Sequence, residues 1–190
     1  PLTAMTQASF LALQGLWAGP WLRDIAGMPR SEISMVLFWA AASLTAGYIG
    51  LGLIAENLAQ RGISILHTAV TGMAIFMGIQ IFIVFQVPIA PTFLWVLFGF
   101  FGTAGILSYS ALTSSFPRTL SGRVTTSINL LVFIGAFILQ WLVGAIINLW
   151  EVSSAGNYHP SGYRAGFLTI LCLQLAGLSW CLFSGFKKRN

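Results

Sequence analysis

Gln7, Gln14, Trp17 and Trp21 recur at offsets of 0, 7, 10 and 14, the spacing of one helical face. Two amides and two indoles on one face can hold a partly polar organic solute: the amides donate and accept hydrogen bonds, and the indoles offer flat apolar surface and an N–H. Asn129, Phe133 and Gln140, at offsets of 0, 4 and 11, repeat that chemistry, with Thr125 and Thr126 beside them. Tyr109 adds a phenol beyond Gly99, Gly102 and Gly105. A bare Gln or Asn in hydrocarbon has to be met by protein or by a wet cavity. The substrate-binding candidates are therefore Gln14, Trp17, Trp21, Tyr109, Asn129, Phe133 and Gln140. The competing reading makes the amides glue between helices and Trp21 part of an interfacial aromatic belt. The glycines of 99–105, and Ser43, Gly47, Gly50 and Gly52, read as packing faces, because small residues let backbones approach.

The elements that must carry these groups follow from charge. Of 190 residues 57% are apolar and only 7% charged, against about 25% in soluble domains, so the composition is that of an integral membrane protein. Asp, Glu, Lys and Arg are absent from 1–22, 33–55, 62–117, 124–150 and 165–186. A crossing helix needs about 20 apolar residues, so four of these runs make one crossing each. The run 62–117 would make a helix of about 84 Å at roughly 1.5 Å per residue, too long for one crossing. It must turn, and Pro88-Ile89-Ala90-Pro91 is the place, since two prolines remove two donors. The expected fold is all-α, with one domain over 1–190 and six spans: Leu2–Leu22, Ile33–Ala55, Ile63–Val87, Thr92–Leu112, Val124–Ile147 and Ala165–Phe186. A β-barrel is excluded because the runs are apolar on all sides.

Arg61, Arg118, Arg123, Lys187, Lys188 and Arg189 fall on one side, and Arg23, Arg30 and Arg164 on the other. The richer side is cytoplasmic by the positive-inside rule, which puts both ends of the segment there. The net charge of +5 then reflects topology, and no nucleic-acid partner is expected. Neither catalysis nor a cofactor is indicated. His67 has no protease motif around it and reads as a structural histidine, His159 lies in an outer loop, and a haem site would need paired histidines on facing spans. Cys172 and Cys181, nine apart on one helix, point to opposite sides and read as small apolar packing residues. No metal site is expected.

Met28-Pro29-Arg30-Ser31 and Phe116-Pro117-Arg118-Thr119 are similar at an offset of 88, which lays spans one and two on spans four and five. Three spans are an odd number, so a second copy would be inverted in the membrane: two inverted three-helix repeats, a transporter architecture.

Three stretches carry a family resemblance. They are Phe10-Leu11-Ala12-Leu13-Gln14-Gly15-Leu16-Trp17-Ala18-Gly19-Pro20-Trp21, the loop Gly52-Leu53-Ile54-Ala55-Glu56-Asn57-Leu58-Ala59-Gln60-Arg61-Gly62, and Phe116-Pro117 with Gly122-Arg123, followed later by Gly162-Tyr163-Arg164. Together they resemble the C-terminal six-helix half of the major facilitator superfamily. The loop is similar to that family's Gly-x-x-x-Asp-Arg-x-Gly-x-Arg-Arg pattern, with Glu56 for the Asp and Arg61 for an Arg, while Asn57 and Ala59 depart from it. The resemblance implies a secondary active transporter of a bacterial inner membrane that moves a small organic solute by alternating access. Its partners would be the lipid bilayer, the solute and a missing N-terminal six-helix half. It also implies that spans one, two, four and five approach the cavity and three and six are peripheral. Glu56, Arg61 and Arg123 would then form an inner latch, and Arg23 and Asp24 an outer-gate pair or an interfacial anchor. The abrupt start at Pro1 is expected of a piece of a longer chain. Two other functions stay open: a non-transporting membrane scaffold or sensor subunit, and a half-size carrier working with a second copy of itself.

Overall fold

The computed structural model describes residues 1–113, 115–154 and 156–187. They form six helices and, among the described residues, no strand. Helix α1 comprises Leu2–Ala12, a π-helical turn Leu13–Trp17 and Ala18–Asp24. Helix α2 is Arg30–Gln60 and α3 is Ile65–Val84. Helix α4 comprises Pro91–Gly102, a 3-10 turn Ala104–Ile106 and Leu107–Thr113. Helix α5 runs from a 3-10 turn Arg118–Leu120 into Ser121–Ile147, and α6 is Pro160–Lys187. Lys188 and Arg189 of the basic tail lie outside the described residues.

Five helices are long and apolar enough to cross a membrane: Arg30–Gln60, Ile65–Val84, Pro91–Thr113, Arg118–Ile147 and Pro160–Phe183. The sixth expected span, α1, covers the expected residues but is interrupted by its π turn, so no single regular helix in it has crossing length. The interruption sits just before Gly19-Pro20. Pro20 has no N–H, and its ring clashes with the carbonyl four residues back, which is Leu16, inside the π turn. Helices α2 and α6 start earlier than the uncharged runs, at Arg30 and Pro160, because charges are tolerated where a helix leaves the apolar layer.

The most extensive contacts join α2 to α4, α1 to α5, and α3 to α4. Helix α6 packs on α5, α1 and α3. Between α2 and α4 the backbones nearly touch. A Cβ on Gly47 would collide with the Phe100 carbonyl, and one on Gly99 with the Ala40 carbonyl and the Ser43 hydroxyl. The packing role expected of Ser43, Gly47, Gly50 and Gly99 is what the geometry shows, whereas Gly52 meets nothing. An aromatic core sits among α1, α3 and α4: Phe10, Phe76, Phe98, Trp95 and Trp21 are linked by ring-centroid distances of 4.7–6.2 Å. Cys172 is an exposed free thiol. His67 closes the start of α3, its backbone N–H and its Nδ1 both against the Ser64 hydroxyl.

Candidate functional site

The 3-10 turn of α4 frees backbone carbonyls, and α1 supplies part of the answer. The Ile106 N–H bonds to Thr103 O, one residue short of the α-helical partner Gly102. Gln7 Nε2 then donates to Gly102 O at 3.1 Å, Ser108 donates to Gly105 O at 2.6 Å, and Thr103 to Phe100 O at 2.8 Å. Gly105 has no side chain for a reason: a Cβ there would press on the Gln7 amide. Gln7 is therefore committed to α4.

The four residues expected on one α1 face are not on one face. A π turn carries an extra residue, which rotates everything after it by about a quarter turn relative to an α-helix. Trp17 is 7% exposed and donates through Nε1 to the Gln140 carbonyl of α5 at 3.2 Å. Trp21 is 4% exposed and meets Trp95 edge-on at 5.9 Å. Its Nε1 finds no partner among the described residues. Both indoles belong to the packed interior of the bundle.

Gln14 lies in the π turn, beside exposed Gly15 and Leu16. It is half-buried, and its Oε1 is covered by protein with no hydrogen-bond donor. A Cβ on Gly15 would lie 3.6 Å from Gln140 Nε2, so the Gln140 amide stands against the π turn. Helix α5 buries Ile128, Val132, Ala136, Leu139, Val143 and Ile147. Gln140 is half-buried at the edge of that stripe, and Asn129 and Phe133, the latter 61% exposed, lie on the open flank. Gln140 is thus brought against the turn that carries Gln14, and Asn129 and Phe133 share the Gln140 face of α5. Tyr109 is half-buried on α4, within electrostatic range of Tyr48 of α2, and is not part of that group. Two hollows lie elsewhere. One of about 420 Å3 is lined by Thr3, Leu66, Ser108, Ile128 and Trp180, and one of about 370 Å3 by Trp21, Gln86 and Pro88. Neither hollow is lined by Gln14, Asn129 or Gln140.

Glu56, Arg61 and Arg123 are exposed and make no ion pair with one another; among the described residues the one ion pair is Arg23–Asp24, at 2.5 Å. Asp24 is tied within this chain. Its covered carboxylate also accepts from the Tyr163 hydroxyl at 2.7 Å and the Tyr158 N–H at 3.2 Å. Burial pushes its pKa up, but the hydrogen bonds from Arg23, Tyr163 and Tyr158 outweigh this and hold it below the usual carboxylate range.

Sequence reasoning missed two polar contacts. One is this tyrosine pair on Asp24, which only the return of α6 makes adjacent. The other is a reciprocal amide pair, Gln80 of α3 and Gln174 of α6, 1% and 0% exposed. A Gln deep inside each of two long apolar runs was the available signal.

The class these observations define is a helical membrane protein, with five helices fit to cross a bilayer. Comparison of the chain with protein-family models, with curated proteins and with solved structures finds no match.

Proposed function

We propose that the chain is one six-helix half of a secondary active transporter for a small organic solute, working by alternating access in a bacterial inner membrane. The observation that carries this is the contrast among its amides. Gln7, Gln80 and Gln174 are enclosed and hydrogen-bonded to neighbouring helices, which is how amides look when they serve as glue. Gln14, Asn129 and Gln140 do not: their side chains make no hydrogen bond among the described residues, and none of the three is enclosed, Gln14 and Gln140 being half-buried and Asn129 exposed. Amides cannot face lipid cheaply, so they meet water, a solute or a second half. A scaffold subunit predicts only enclosed amides.

Three observations support the inverted repeat. Two of the three most extensive pairs, α2–α4 and α1–α5, exchange with each other if α1 corresponds to α4 and α2 to α5. Pro29 and Pro117, 88 apart, each stand in extended backbone just before a helix, at φ −68°, ψ 154° and φ −54°, ψ 143°. Gly47 and Gly135, also 88 apart, each sit at the close approach of one such pair, against Phe100 and Ala8. The free Glu56, Arg61 and Arg123 fit a latch whose partner lies in the other half, while the bonds of Asp24 to α6 favour an anchor over a gate.

The test is transport in vesicles carrying the full-length protein, screened with labelled neutral organic solutes. Gln14→Ala and Asn129→Ala each lower the initial rate at limiting solute by about tenfold, the worth of one hydrogen bond of about 1.4 kcal/mol, with membrane insertion intact. Unchanged transport in both variants refutes the site.

A further inference from the structure

Helix α1 is fastened to different neighbours on either side of its π turn. In the inner segment, Leu2–Ala12, Thr3 hydrogen-bonds Ser108 at 2.7 Å and Gln7 donates to Gly102 O at 3.1 Å; both partners are on α4. Ser108 spends its own proton on Gly105 O, so Thr3 is the donor. Beyond the turn's centre the partners change. Trp17 donates to Gln140 O of α5 at 3.2 Å. Asp24 accepts from Tyr163 of α6 and from Tyr158 in the α5–α6 connection. Among the described residues no side-chain hydrogen bond of the outer part reaches α4, and none of the inner part reaches α5 or α6. Apolar contacts are not divided in this way: Ala8 lies against Gly135 of α5, and Trp21 against Trp95 of α4. Such contacts are non-directional and permit small sliding, whereas the hydrogen bonds fix geometry.

The turn between the two segments is built to yield. A π turn is a one-turn irregularity within an α-helix and recurs at functional sites. Pro20 cannot donate to the Leu16 carbonyl, so the regular ladder is already open there. Leu13 and Trp17 anchor the ends of the turn in the core, but Gly15 and Leu16 between them are exposed and a Cβ on Gly15 would meet nothing closer than 3.6 Å, so the middle of the turn is free to move.

We propose that Leu13–Trp17 is a flexure: relative displacement of α4 against the α5–α6 pair is absorbed there, with Thr3 and Gln7 gripping one side and Trp17 and Asp24 the other. Gln14 rides on the flexure, and the approach of Gly15 to the Gln140 amide reports the displacement. The device does not depend on the chain being a carrier, and its test reads no transport.

Hydrogen–deuterium exchange of the full-length protein in lipid nanodiscs tests it. Amides of Gly15–Gly19 exchange at least about tenfold faster than those of Met5–Leu11, as expected of a locally weak segment. Trp17→Phe, which keeps an aromatic ring and loses the donor, speeds exchange across Ala18–Asp24 by several-fold and leaves Leu2–Ala12 unchanged. Asp24→Asn does the same and serves if the Trp17 variant fails to fold. Gln7→Leu has the opposite pattern. Uniform protection along α1, or equal loosening of both segments from a change at one end, overturns the proposal.

Discussion

Gln80 and Gln174 offer the sharpest test of how this bundle handles buried polarity. Each donates one N–H to the other's carbonyl, at 3.1 and 2.8 Å, and neither is reached by solvent. Gln80→Leu changes volume little but leaves the Gln174 amide without a partner among apolar side chains. In a soluble protein an orphaned polar group costs about 1–3 kcal/mol. Between membrane helices the measured values average about 0.6 and reach about 1.7 kcal/mol, because the unfolded state in lipid also finds partners. The membrane reference is the relevant one here. A reciprocal pair at full burial belongs at its upper end, so each single Leu variant loses about 1–2 kcal/mol. The double variant Gln80→Leu/Gln174→Leu removes donors and acceptors together and orphans nothing. It falls short of the summed single losses by about 1 kcal/mol or more. Equilibrium unfolding in mixed micelles, run as a double-mutant cycle, measures this. Additive losses would show that the two amides do not depend on each other and would refute the argument.

The Asp24 cluster predicts a pH dependence. Its pKa is lowered in the folded protein, so its contribution is complete above the ordinary carboxylate pKa near pH 4 and is lost as pH falls through the lower folded value. Wild-type stability therefore drops below about pH 4 in excess of any drop in Asp24→Asn, measured as thermal midpoint against pH. Tyr163→Phe removes one bond to a charged acceptor and costs about 1.5–3 kcal/mol near neutral pH, and parallel midpoints for the two proteins would contradict it. Gly99→Ala forces a methyl group against the Ala40 carbonyl and Ser43, costing about 1–3 kcal/mol in the same unfolding assay. Gly52→Ala, which meets nothing, is neutral or slightly stabilising; similar losses in both would place the α2–α4 contact elsewhere.

The helices were legible because their cause is one-dimensional. A stretch without charge longer than the hydrocarbon layer is visible in composition, and the turn at Pro88–Pro91 in proline chemistry. Glycine spacing likewise announced the α2–α4 contact, since only a missing Cβ permits it. What stayed hidden depends on partners distant in sequence. Gln80 meets Gln174 across 94 positions, and Asp24 meets Tyr163 across 139, and no local pattern encodes either. The α1 face was misjudged for a different reason. Gln7, Gln14, Trp17 and Trp21 share a face only if every turn has 3.6 residues, and Leu13-Gln14-Gly15-Leu16-Trp17 reads like any other helical stretch.

The irregular turns explain where the polar groups ended up. A helix facing lipid has to keep its backbone ladder intact, since nothing outside can satisfy a freed carbonyl. Helices α2, α3 and α6 are regular α-helix throughout, and the 3-10 turn of α5 is confined to its end. Interior breaks occur in α1 and α4, at Leu13–Trp17 and Ala104–Ile106, with Leu13, Trp17, Ala104 and Gly105 all buried. At the α4 break, protein groups answer the loosened backbone: Gln7, Thr103 and Ser108 each reach a carbonyl. At the α1 break no side-chain hydrogen bond reaches in among the described residues, and Gln14 instead holds out an acceptor with no donor. Two breaks of similar kind, one satisfied by side chains and the other left with the unmet acceptor of Gln14, set apart the end of the pair at which a further donor has work to do.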